Sequence, residues 1–214
     1  MPKTAINVRN LKKYYGETKA VDDISFNLME GEVLAILGPN GAGKTTTVEM
    51  LEGLRRPDSG TIEYFEEKLP PSSDRVKEEI GVQLQSSSFF EYLSVKETLD
   101  LFMGLYTKGI SSDELIKEVS LDEKKKTYTK NLSGGQLQRL AVAVSLVNDP
   151  KVIFLDEPTT GLDPQARRML WETVLNLKKK QKTIILTTHY MEEAEHLADR
   201  IIIMDHGKII SRGT

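Results

Sequence analysis

One run of nine residues, from Gly38 to Thr46, carries the clearest chemistry in this sequence. It fits the glycine-rich phosphate-binding pattern G-x-x-x-x-G-K-[ST] at every defined position. Its members are Gly38, Pro39, Asn40, Gly41, Ala42, Gly43, Lys44, Thr45 and Thr46. The glycines let backbone N–H groups wrap around a polyphosphate, Lys44 can reach its β- and γ-phosphates, and the Thr45 hydroxyl can bind Mg²⁺. The run therefore predicts a site for a nucleoside triphosphate and Mg²⁺, with Thr46 near the α-phosphate.

Two adjacent acids follow a second apolar run, which extends from Lys151 to Leu155. Such a run is typical of a strand that is buried on both faces. Asp156 at its end is the expected partner of the Mg²⁺ through water, and Glu157 could orient or deprotonate an attacking water. The alternative is a pair of solvated carboxylates at a strand end, which the phosphate-binding run disfavours.

Two further polar residues follow apolar runs and could reach the same place. Gln85 comes after a run from Ile80 to Leu84, and His189 comes soon after a run from Thr183 to Thr187. Ligands bind at the carboxyl ends of the strands in parallel α/β sheets, so both side chains could lie near the phosphates. A single histidine is more often structural, and for His189 both interpretations stay open.

A second glycine-containing segment, Leu132-Ser133-Gly134-Gly135-Gln136, opens a helix. Ser133 and Gln136 fit a capping box, which many helices use for local stability alone. A cap does not require Gly134 and Gly135, however, and these glycines leave the helix N-terminus open to an anion. Since the first run already serves one triphosphate, the surplus suggests that Ser133 to Gln136 acts on the site of another chain.

The elements that must position these residues alternate between strands and helices. An apolar strand from Glu32 to Leu37 precedes the phosphate-binding run, and a helix that continues through Leu51 follows it, as the motif requires. Alternating residues at Ile6 to Val8 and Ile24 to Leu28 predict antiparallel strands. Tyr15 between them could stack on an adenine or cap a small core. The pattern predicts an α/β fold with a mostly parallel core sheet and an N-terminal antiparallel β subdomain.

A helical pattern occupies the middle of the chain. Apolar residues recur at helix-like spacings from about Val95 to Leu121, and we expect Phe89 to Lys130 to form a helical insertion outside the main sheet. Together with the helix over 133–148 it would make a helical subdomain. Asp163 precedes Pro164 as the predicted N-cap of a later helix, and capping alone explains that pair.

Composition limits the classes of protein that fit. The 214 residues suit one domain, 1–214, and 39% hydrophobic with 29% charged residues indicates a globular protein. A net charge of −3 argues against broad binding of nucleic acids. No cysteine is present, which rules out disulfides and thiolate metal sites. The longest apolar runs are far shorter than the roughly 20 residues that span a bilayer.

Together these residues resemble the nucleotide-binding domain of ATP-binding cassette (ABC) transporters over essentially the whole chain. The segment from Leu132 to Gln136 matches the signature sequence of that family. The resemblance implies that Tyr15 stacks on the adenine, that Asp156 is linked to Mg²⁺ and that Glu157 is the catalytic base. The resemblance also implies that Gln85 is the Q-loop glutamine, which would serve both catalysis and the metal. Asp163 would be the D-loop aspartate, and His189 the switch histidine.

The same resemblance implies how the protein works. Two cassettes of this family meet head to tail, so each ATP would lie between one chain's phosphate-binding run and the other chain's signature helix, where Ser133 and Gly135 would contact the γ-phosphate. ATP would hold the pair together, and hydrolysis would release it. The segment from Thr187 to Glu195 looks most like cassettes of drug, antibiotic or polysaccharide exporters, whose transmembrane permease is a separate chain. The expected location is the cytoplasmic face of the cell membrane, through that subunit.

Other functions fit parts of the sequence. An importer cassette would carry the same motifs. A soluble cassette ATPase acting on ribosomes or DNA also fits them, although the acidic charge and the absence of long coiled-coil arms disfavour it. A GTPase or a small-molecule kinase would share the run from Gly38 to Thr46. The sequence lacks the guanine-reading pattern Asn-Lys-x-Asp, however, and a kinase does not explain the segment from Ser133 to Gln136.

Overall fold

The computed structural model describes residues 3–65, 67–85 and 88–214, which form two sheets and seven α-helices. The strands are β1 (Thr4–Tyr15), β2 (Thr18–Met29), β3 (Val33–Leu37), β4 (Ser59–Tyr64), β5 (Ile80–Gln83), β6 (Val152–Asp156), β7 (Thr183–Thr188), β8 (Arg200–Asp205) and β9 (Lys208–Gly213). The helices are α1 (Lys44–Leu51), α2 (Asp74–Glu79), α3 (Val95–Met103), α4 (Ser112–Glu118), α5 (Gly134–Val144), α6 (Pro164–Lys179) and α7 (Met191–Leu197). Within the described ranges, no helix has both the length and the apolar character needed to cross a membrane.

The larger sheet has six strands in the order β5-β6-β7-β3-β8-β9, and all neighbours pair in parallel except β8 and β9. Every residue of β3, β6 and β7 is buried, because both faces of this sheet are covered. Along β3, Val33, Ala35 and Leu37 face a core shared with α5 and α6, while Leu34 and Ile36 face a core shared with α1 and the small sheet. The carboxyl ends of the parallel strands therefore meet at one edge, where the predicted site residues follow.

The smaller sheet has three antiparallel strands in the order β2-β1-β4. The predicted strands Ile6 to Val8 and Ile24 to Leu28 are confirmed as parts of β1 and β2, although both strands continue further toward the turn that joins them. This extension pairs Tyr15 with Thr18 at the end of the hairpin. The ring that sequence analysis assigned to adenine stacking is thus carried by a strand end.

The segment from Phe89 to Lys130 contains α3, α4 and a short 3₁₀ turn, Asp122–Lys124, and a second 3₁₀ turn, Thr129–Asn131, begins at its end. Ser94 and Glu97 form a capping box at α3. A single antiparallel bridge joins Ser94 to Tyr128. The hydrophobic periodicity of the sequence does not predict this contact between distant parts of the segment. The helix predicted over 133–148 ends at Val144. The division into a separate helical subdomain stays a prediction.

Two short helices, α2 and α7, were not predicted. Each has only six or seven residues, and α2 buries Val76 alone. A helix of that length shows too few periodic positions to be recognised, and its stability comes from packing rather than from its own sequence.

Candidate nucleotide-binding and catalytic site

The segment from Gly38 to Thr46 joins β3 to α1. Gly41 and Gly43 have φ angles of +81° and +99°, which residues other than glycine rarely adopt. A Cβ on Gly43 would also lie 2.2 Å from the carbonyl oxygen of Ala20, whereas one on Gly41 would meet no atom within 4 Å. The fold itself requires Gly43, and the space at Gly41 is open to a ligand. The loop leads into the N-terminus of α1, whose free N–H groups favour an anion.

Lys44 begins α1 and is only 4% exposed. Its ammonium donates hydrogen bonds to the carbonyl oxygens of Gly38, at 2.9 Å, and Pro39, at 3.1 Å. The same ammonium lies 3.1 Å from Oε1 of Glu157. The loop backbone folds around the lysine, and the ion pair compensates its buried charge. These contacts connect the phosphate-binding loop to the end of β6.

Asp156 is the buried last residue of β6. Its Oδ1 accepts hydrogen bonds from the hydroxyl of Thr187 on β7 and, at 3.4 Å, from the hydroxyl of Thr45. Burial raises the pKa of Asp156 above its ordinary value, and the bonds from the two threonines offset this only in part. The arrangement places one hydroxyl and one carboxylate side by side at the start of α1.

Glu157 follows β6 directly and has a φ of +46°. Its N–H donates to Oγ1 of Thr187 at 2.9 Å, and its carboxylate accepts from Oγ1 of Thr160 at 3.0 Å. Burial by itself would raise the pKa of Glu157, but the hydrogen bonds from Lys44 and Thr160 and the charges of Lys44 and His189 outweigh it, so that pKa is lowered. Glu157 is therefore ionised at neutral pH, in a left-handed conformation of the strained kind that clusters at functional sites.

His189 follows the last residue of β7, and its Nδ1 lies 3.2 Å from Oε2 of Glu157. Its ring packs on Tyr190, with 4.0 Å between the ring centroids. The two carboxylate oxygens of Glu157 thus face different partners, Lys44 on Oε1 and His189 on Oε2. Two predicted residues from separate parts of the sequence thus converge on the carboxylate of a third.

Lys44 and Glu157 border a cavity of about 720 Å³, whereas Asp156 and His189 contact residues of its wall but do not line it. The predicted residues along its wall are Tyr15, Asn40, Gly41, Gly43, Lys44, Thr45, Thr46, Gln85 and Glu157. Tyr15 is 43% exposed, so a flat ligand can reach its ring. A cavity of about 750 Å³ lies against Lys151 and Thr183 at the opposite ends of the same strands, away from the predicted residues. Volume alone therefore does not identify the site, whereas the convergence of charged groups does.

The second predicted phosphate contact, Ser133 to Gln136, lies at the start of α5 and does not belong to the described wall of this cavity. Oγ of Ser133 accepts from the N–H of Gln136 at 3.3 Å, and Oε1 of Gln136 accepts from the N–H of Ser133 at 2.9 Å, which confirms the capping box. A Cβ on Gly135 would lie 2.6 Å from Cβ of Ala166 on α6, whereas one on Gly134 would meet nothing within 4 Å. Helix packing explains Gly135 but gives no reason for Gly134.

Some predicted residues do not line the described wall of the cavity. Asp163 caps α6, since its Oδ1 accepts from the N–H groups of the second and third following residues at 2.9 Å. This confirms the predicted N-cap. Gly38 and Pro39 hold Lys44 through their carbonyls, and Ala42 is buried. The nucleotide contacts predicted for these four residues stay predictions.

Comparison with known proteins identifies the chain. The model of the ABC transporter family matches residues 21–160. The chain belongs to the ABC transporter family. It is the ATP-hydrolysing cassette of that family. The cassette is 43% identical to Nod factor export ATP-binding protein I of Ralstonia nicotianae, over 97% of this chain and 66% of that protein. Daunorubicin resistance ATP-binding protein DrrA3 of Streptomyces coeruleorubidus is 41% identical, over 100% of this chain and 69% of that protein.

The cassette also matches solved structures. MJ0796, a bacterial ABC transporter cassette solved as a dimer, superposes with a TM-score of 0.83 at 27% identity, over 98% of each chain. This likeness confirms the predicted fold class. The cassette spans about two thirds of the length of these two relatives.

Some residues that hold the site of the cassette together escaped sequence analysis. Thr187 bonds both acids, and Thr160 bonds the second acid. The fully buried Glu193 on α7 accepts from Oγ1 of Thr159 at 2.8 Å and from Nε1 of Trp171 at 3.0 Å. Thr187 could have been found from its place at a predicted strand end beside the acids. Glu193 could not, because its partners lie 34 and 22 residues away in sequence.

Proposed function

We propose that this cassette is the ATP-binding and ATP-hydrolysing subunit of an ABC exporter and drives export through a separate transmembrane subunit. The observation that carries the proposal is the convergence of Lys44 and His189 on the carboxylate of Glu157, beside a phosphate-binding loop. Its relatives include a Nod factor export protein and a daunorubicin resistance protein, which supports export over import.

The residues of the chain provide a phosphate cradle and a base. Backbone N–H groups of the loop and of the start of α1 would face the polyphosphate of ATP. Lys44 would meet the β- and γ-phosphates, and Tyr15 would stack on the adenine. Glu157, which is ionised at neutral pH, would accept a proton from the attacking water or orient it. His189, held beside Glu157, would contact the γ-phosphate.

The donor set suits Mg²⁺. Thr45 and Asp156 are adjacent, and within the described ranges no group of three or more His, Cys, Asp or Glu side chains could hold a metal. Mg²⁺ usually takes one or two protein oxygens and completes its shell with phosphate oxygens and water, so a small donor set is sufficient. When bound, Mg²⁺ neutralises charge on the β- and γ-phosphates. Thr45 would bind it directly, Asp156 through water, and Gln85 from the cavity wall.

A second cassette would complete the site. The segment from Ser133 to Gln136 lies outside the described cavity wall of its own chain, and so does Asp163. The related MJ0796 cassette was solved as a dimer. Head-to-tail pairing would bring Ser133 and Gly135 of one chain to the γ-phosphate held by the other. ATP would then hold the two cassettes together at the cytoplasmic face of the membrane, where the transmembrane subunit anchors them.

Replacing the base tests this proposal. Glu157→Gln keeps the size of the side chain and an acceptor for Lys44 but removes the proton acceptor. We expect ATP hydrolysis to fall by about 10²–10⁴-fold. Equilibrium binding should show that ATP is still bound, and size-exclusion chromatography with ATP should show a persistent dimer. Glu172→Gln, at an exposed position of α6, is the matched control. Retained hydrolysis in Glu157→Gln would contradict the assignment.

The exporter role needs its own measurement. The tagged chain would be purified from gently solubilised native membranes, and the proteins present in stoichiometric amount would be identified. A polytopic membrane protein is the expected companion. Ribosomal or DNA-repair proteins in its place would leave the ATPase chemistry intact and overturn the role in export.

A further inference from the structure

The imidazole of His189 is held by more than its contact with Glu157. Nδ1 of His189 lies 3.2 Å from Oε2 of Glu157, and this single contact fixes one atom of the ring but not the plane of the ring. The ring of Tyr190 lies against the same imidazole, with 4.0 Å between the two centroids and an angle of 40° between the two planes. Two neighbours of different kinds therefore orient His189.

The backbone of Tyr190 is fixed between β7 and α7. Its N–H donates to Oγ1 of Thr188 at 3.0 Å, and its carbonyl oxygen accepts from the N–H of Ala194 at 3.3 Å. Tyr190 is the N-cap residue of α7. Since the backbone has little freedom here, the groups that contact the ring decide which rotamer the side chain adopts.

Arg167, near the start of α6, also contacts the ring of Tyr190. The guanidinium carbon of Arg167 is 4.5 Å from the centroid of that ring, within the distance of a cation–π interaction. Nε of Arg167 is buried and has no hydrogen-bond partner among the described residues. A buried N–H without an acceptor is costly, so a hydrogen bond from Nε does not explain why the guanidinium lies there. The contact with the aromatic ring does.

The start of α6 also carries residues that the proposed pairing of two cassettes would use. The N–H of Arg167 donates to the carbonyl oxygen of Asp163 at 3.0 Å. Ala166, the preceding residue, is the one whose Cβ leaves no space for a Cβ on Gly135 at the start of α5. Asp163 and Gly135 are both assigned to the ATP of the other chain in that pairing. Arg167 is therefore adjacent to them in the fold and also contacts the ring of Tyr190.

We propose that Tyr190 and Arg167 are positioning residues, which hold the imidazole of His189 in the orientation that meets the γ-phosphate and tie that orientation to the start of α6. The inference rests on the proposed role of His189 at the γ-phosphate. Neither Tyr190 nor Arg167 lines the described wall of the nucleotide cavity, so neither contributes directly to ATP affinity. A misplaced catalytic group lowers the rate of the chemical step more than it lowers binding, and the two quantities therefore separate positioning from binding.

The test measures kcat and the equilibrium affinity for ATP in variants of the full chain. Tyr190→Leu removes the ring, and Arg167→Met removes the cation but keeps most of the length of the side chain. Tyr190→Phe is the conservative variant, and Arg168→Met, at an exposed position of α6, is the matched control. We expect kcat to fall roughly tenfold in Tyr190→Leu and by a smaller factor in Arg167→Met, with ATP affinity within about twofold of wild type. Tyr190→Phe and Arg168→Met should retain kcat.

A double-mutant cycle tests whether the two side chains act through one stack of rings. If they do, Arg167→Met should lower kcat no further in a chain that already carries Tyr190→Leu, because Arg167 reaches His189 only through the ring. Losses that multiply would overturn the proposal, and so would a wild-type kcat in Tyr190→Leu. A loss of ATP affinity with unchanged kcat would make these two residues part of the binding site and would overturn the proposal equally.

Two further measurements keep the test decisive. Urea unfolding, followed through the fluorescence of Trp171, the single tryptophan of the chain, shows whether each variant is folded. If Tyr190→Leu does not fold, Arg167→Met decides alone, and a wild-type kcat in that variant would overturn the proposal. His189→Ala should lower kcat at least as much as Tyr190→Leu does. If His189→Ala keeps a wild-type kcat, the proposed role of His189 fails first, which is distinguishable from a result in which only the Tyr190 and Arg167 variants keep it.

Discussion

Two helix N-termini of this cassette were predicted to bind phosphate, and they differ in how much of their chemistry the chain itself provides. At the start of α1, Lys44 contacts two loop carbonyls and the carboxylate of Glu157. At the start of α5, Ser133 and Gln136 bond to each other, and a Cβ on Gly134 would meet open space. The first region is assembled within one chain, whereas the second leaves its ligand-facing side open.

The comparison suggests how a phosphate site formed by one chain can be distinguished from one that needs a second chain. In each region one glycine is constrained by a contact, Gly43 against the backbone of Ala20 and Gly135 against Ala166, and another, Gly41 or Gly134, would place a Cβ in open space. Gly41 still needs glycine for its φ of +81°, whereas neither a contact nor a positive φ explains Gly134 within the described chain. Under the proposed pairing of two cassettes, the signature segment would act on the ATP held by the partner.

The largest effect that separates the two regions should come from Ser133→Arg. The long cationic side chain would fill the open side of the α5 start and keep a second cassette's ATP away, so we expect turnover to fall by about 100-fold or more. Binding of a fluorescent ATP analogue to the monomer should stay within about twofold of wild type, because this residue does not line its own chain's cavity. Steady-state ATPase assays and equilibrium titration measure both quantities.

A matched control exists for that variant. Ser111 caps α4 through the same kind of bond, with its side chain accepting from the N–H of Glu114. Ser111→Arg should cost about 1 kcal/mol of stability through loss of the cap and leave turnover nearly unchanged. If both variants lose turnover alike, the effect is a capping effect and the contrast between α1 and α5 fails. Loss of monomer binding in Ser133→Arg would contradict the contrast equally.

The next effect tests whether contacts within one chain position the acidic residues beside the start of α1. Thr187→Val keeps the shape of the side chain but removes the hydroxyl that bonds Asp156 and the N–H of Glu157. We expect the free energy of unfolding to fall by about 1–3 kcal/mol and kcat to fall about tenfold, since both acids lose a positioning bond. Thr173→Val on α6, where the hydroxyl donates to a helix carbonyl, is the control and should retain kcat. A Thr187→Val variant with wild-type kcat would show that the hydroxyl does not organise the acids.

The sequence predicted those features of the site that depend on residues close together in the chain. The loop from Gly38 to Thr46, the two acids at the end of β6 and the cap at Ser133 all follow local rules, and parallel strands then bring their ends to one edge. Prediction from the sequence failed where a contact joins distant positions. The bond from Thr159 to Glu193 and the burial of Oε1 of Glu52 depend on how helices pack, and no local pattern encodes packing. Short helices such as α7 were missed because their stability comes from the same packing.

The third effect extends the comparison to Glu52, which follows α1 directly and is 6% exposed. Its Oε1 has no hydrogen-bond partner among the described residues. Its pKa is raised from 4.5 to about 8 by burial first and by Asp156 and Glu49 second. The stability contributed by protonated Glu52 is fully present below the unfolded pKa and is lost as pH rises through the folded pKa. Between pH 6 and pH 7, the free energy of unfolding of wild type should therefore fall by up to about 1.4 kcal/mol relative to Glu52→Gln.

Urea unfolding of both proteins at the two pH values measures this difference. Glu49→Gln is the control, since Glu49 is paired with Arg55 at the surface. Parallel pH dependences for wild type and Glu52→Gln would mean that the Glu52 carboxyl is not unpaired in the folded cassette.

The smallest effect compares two adjacent glycines at the start of α5. A Cβ on Gly135 would lie 2.6 Å from Cβ of Ala166, so Gly135→Ala should lower the free energy of unfolding by about 1 kcal/mol, and Ala166→Gly in the same chain should relieve it. Gly134→Ala should be neutral or stabilising by up to about 1 kcal/mol, because alanine favours the helix and the space is open. Turnover should nevertheless fall in Gly134→Ala if a second cassette's ATP approaches there. Chemical unfolding and ATPase assays on the same samples separate the two roles, and a Gly134→Ala cassette with wild-type turnover would leave this glycine without a partner to explain it.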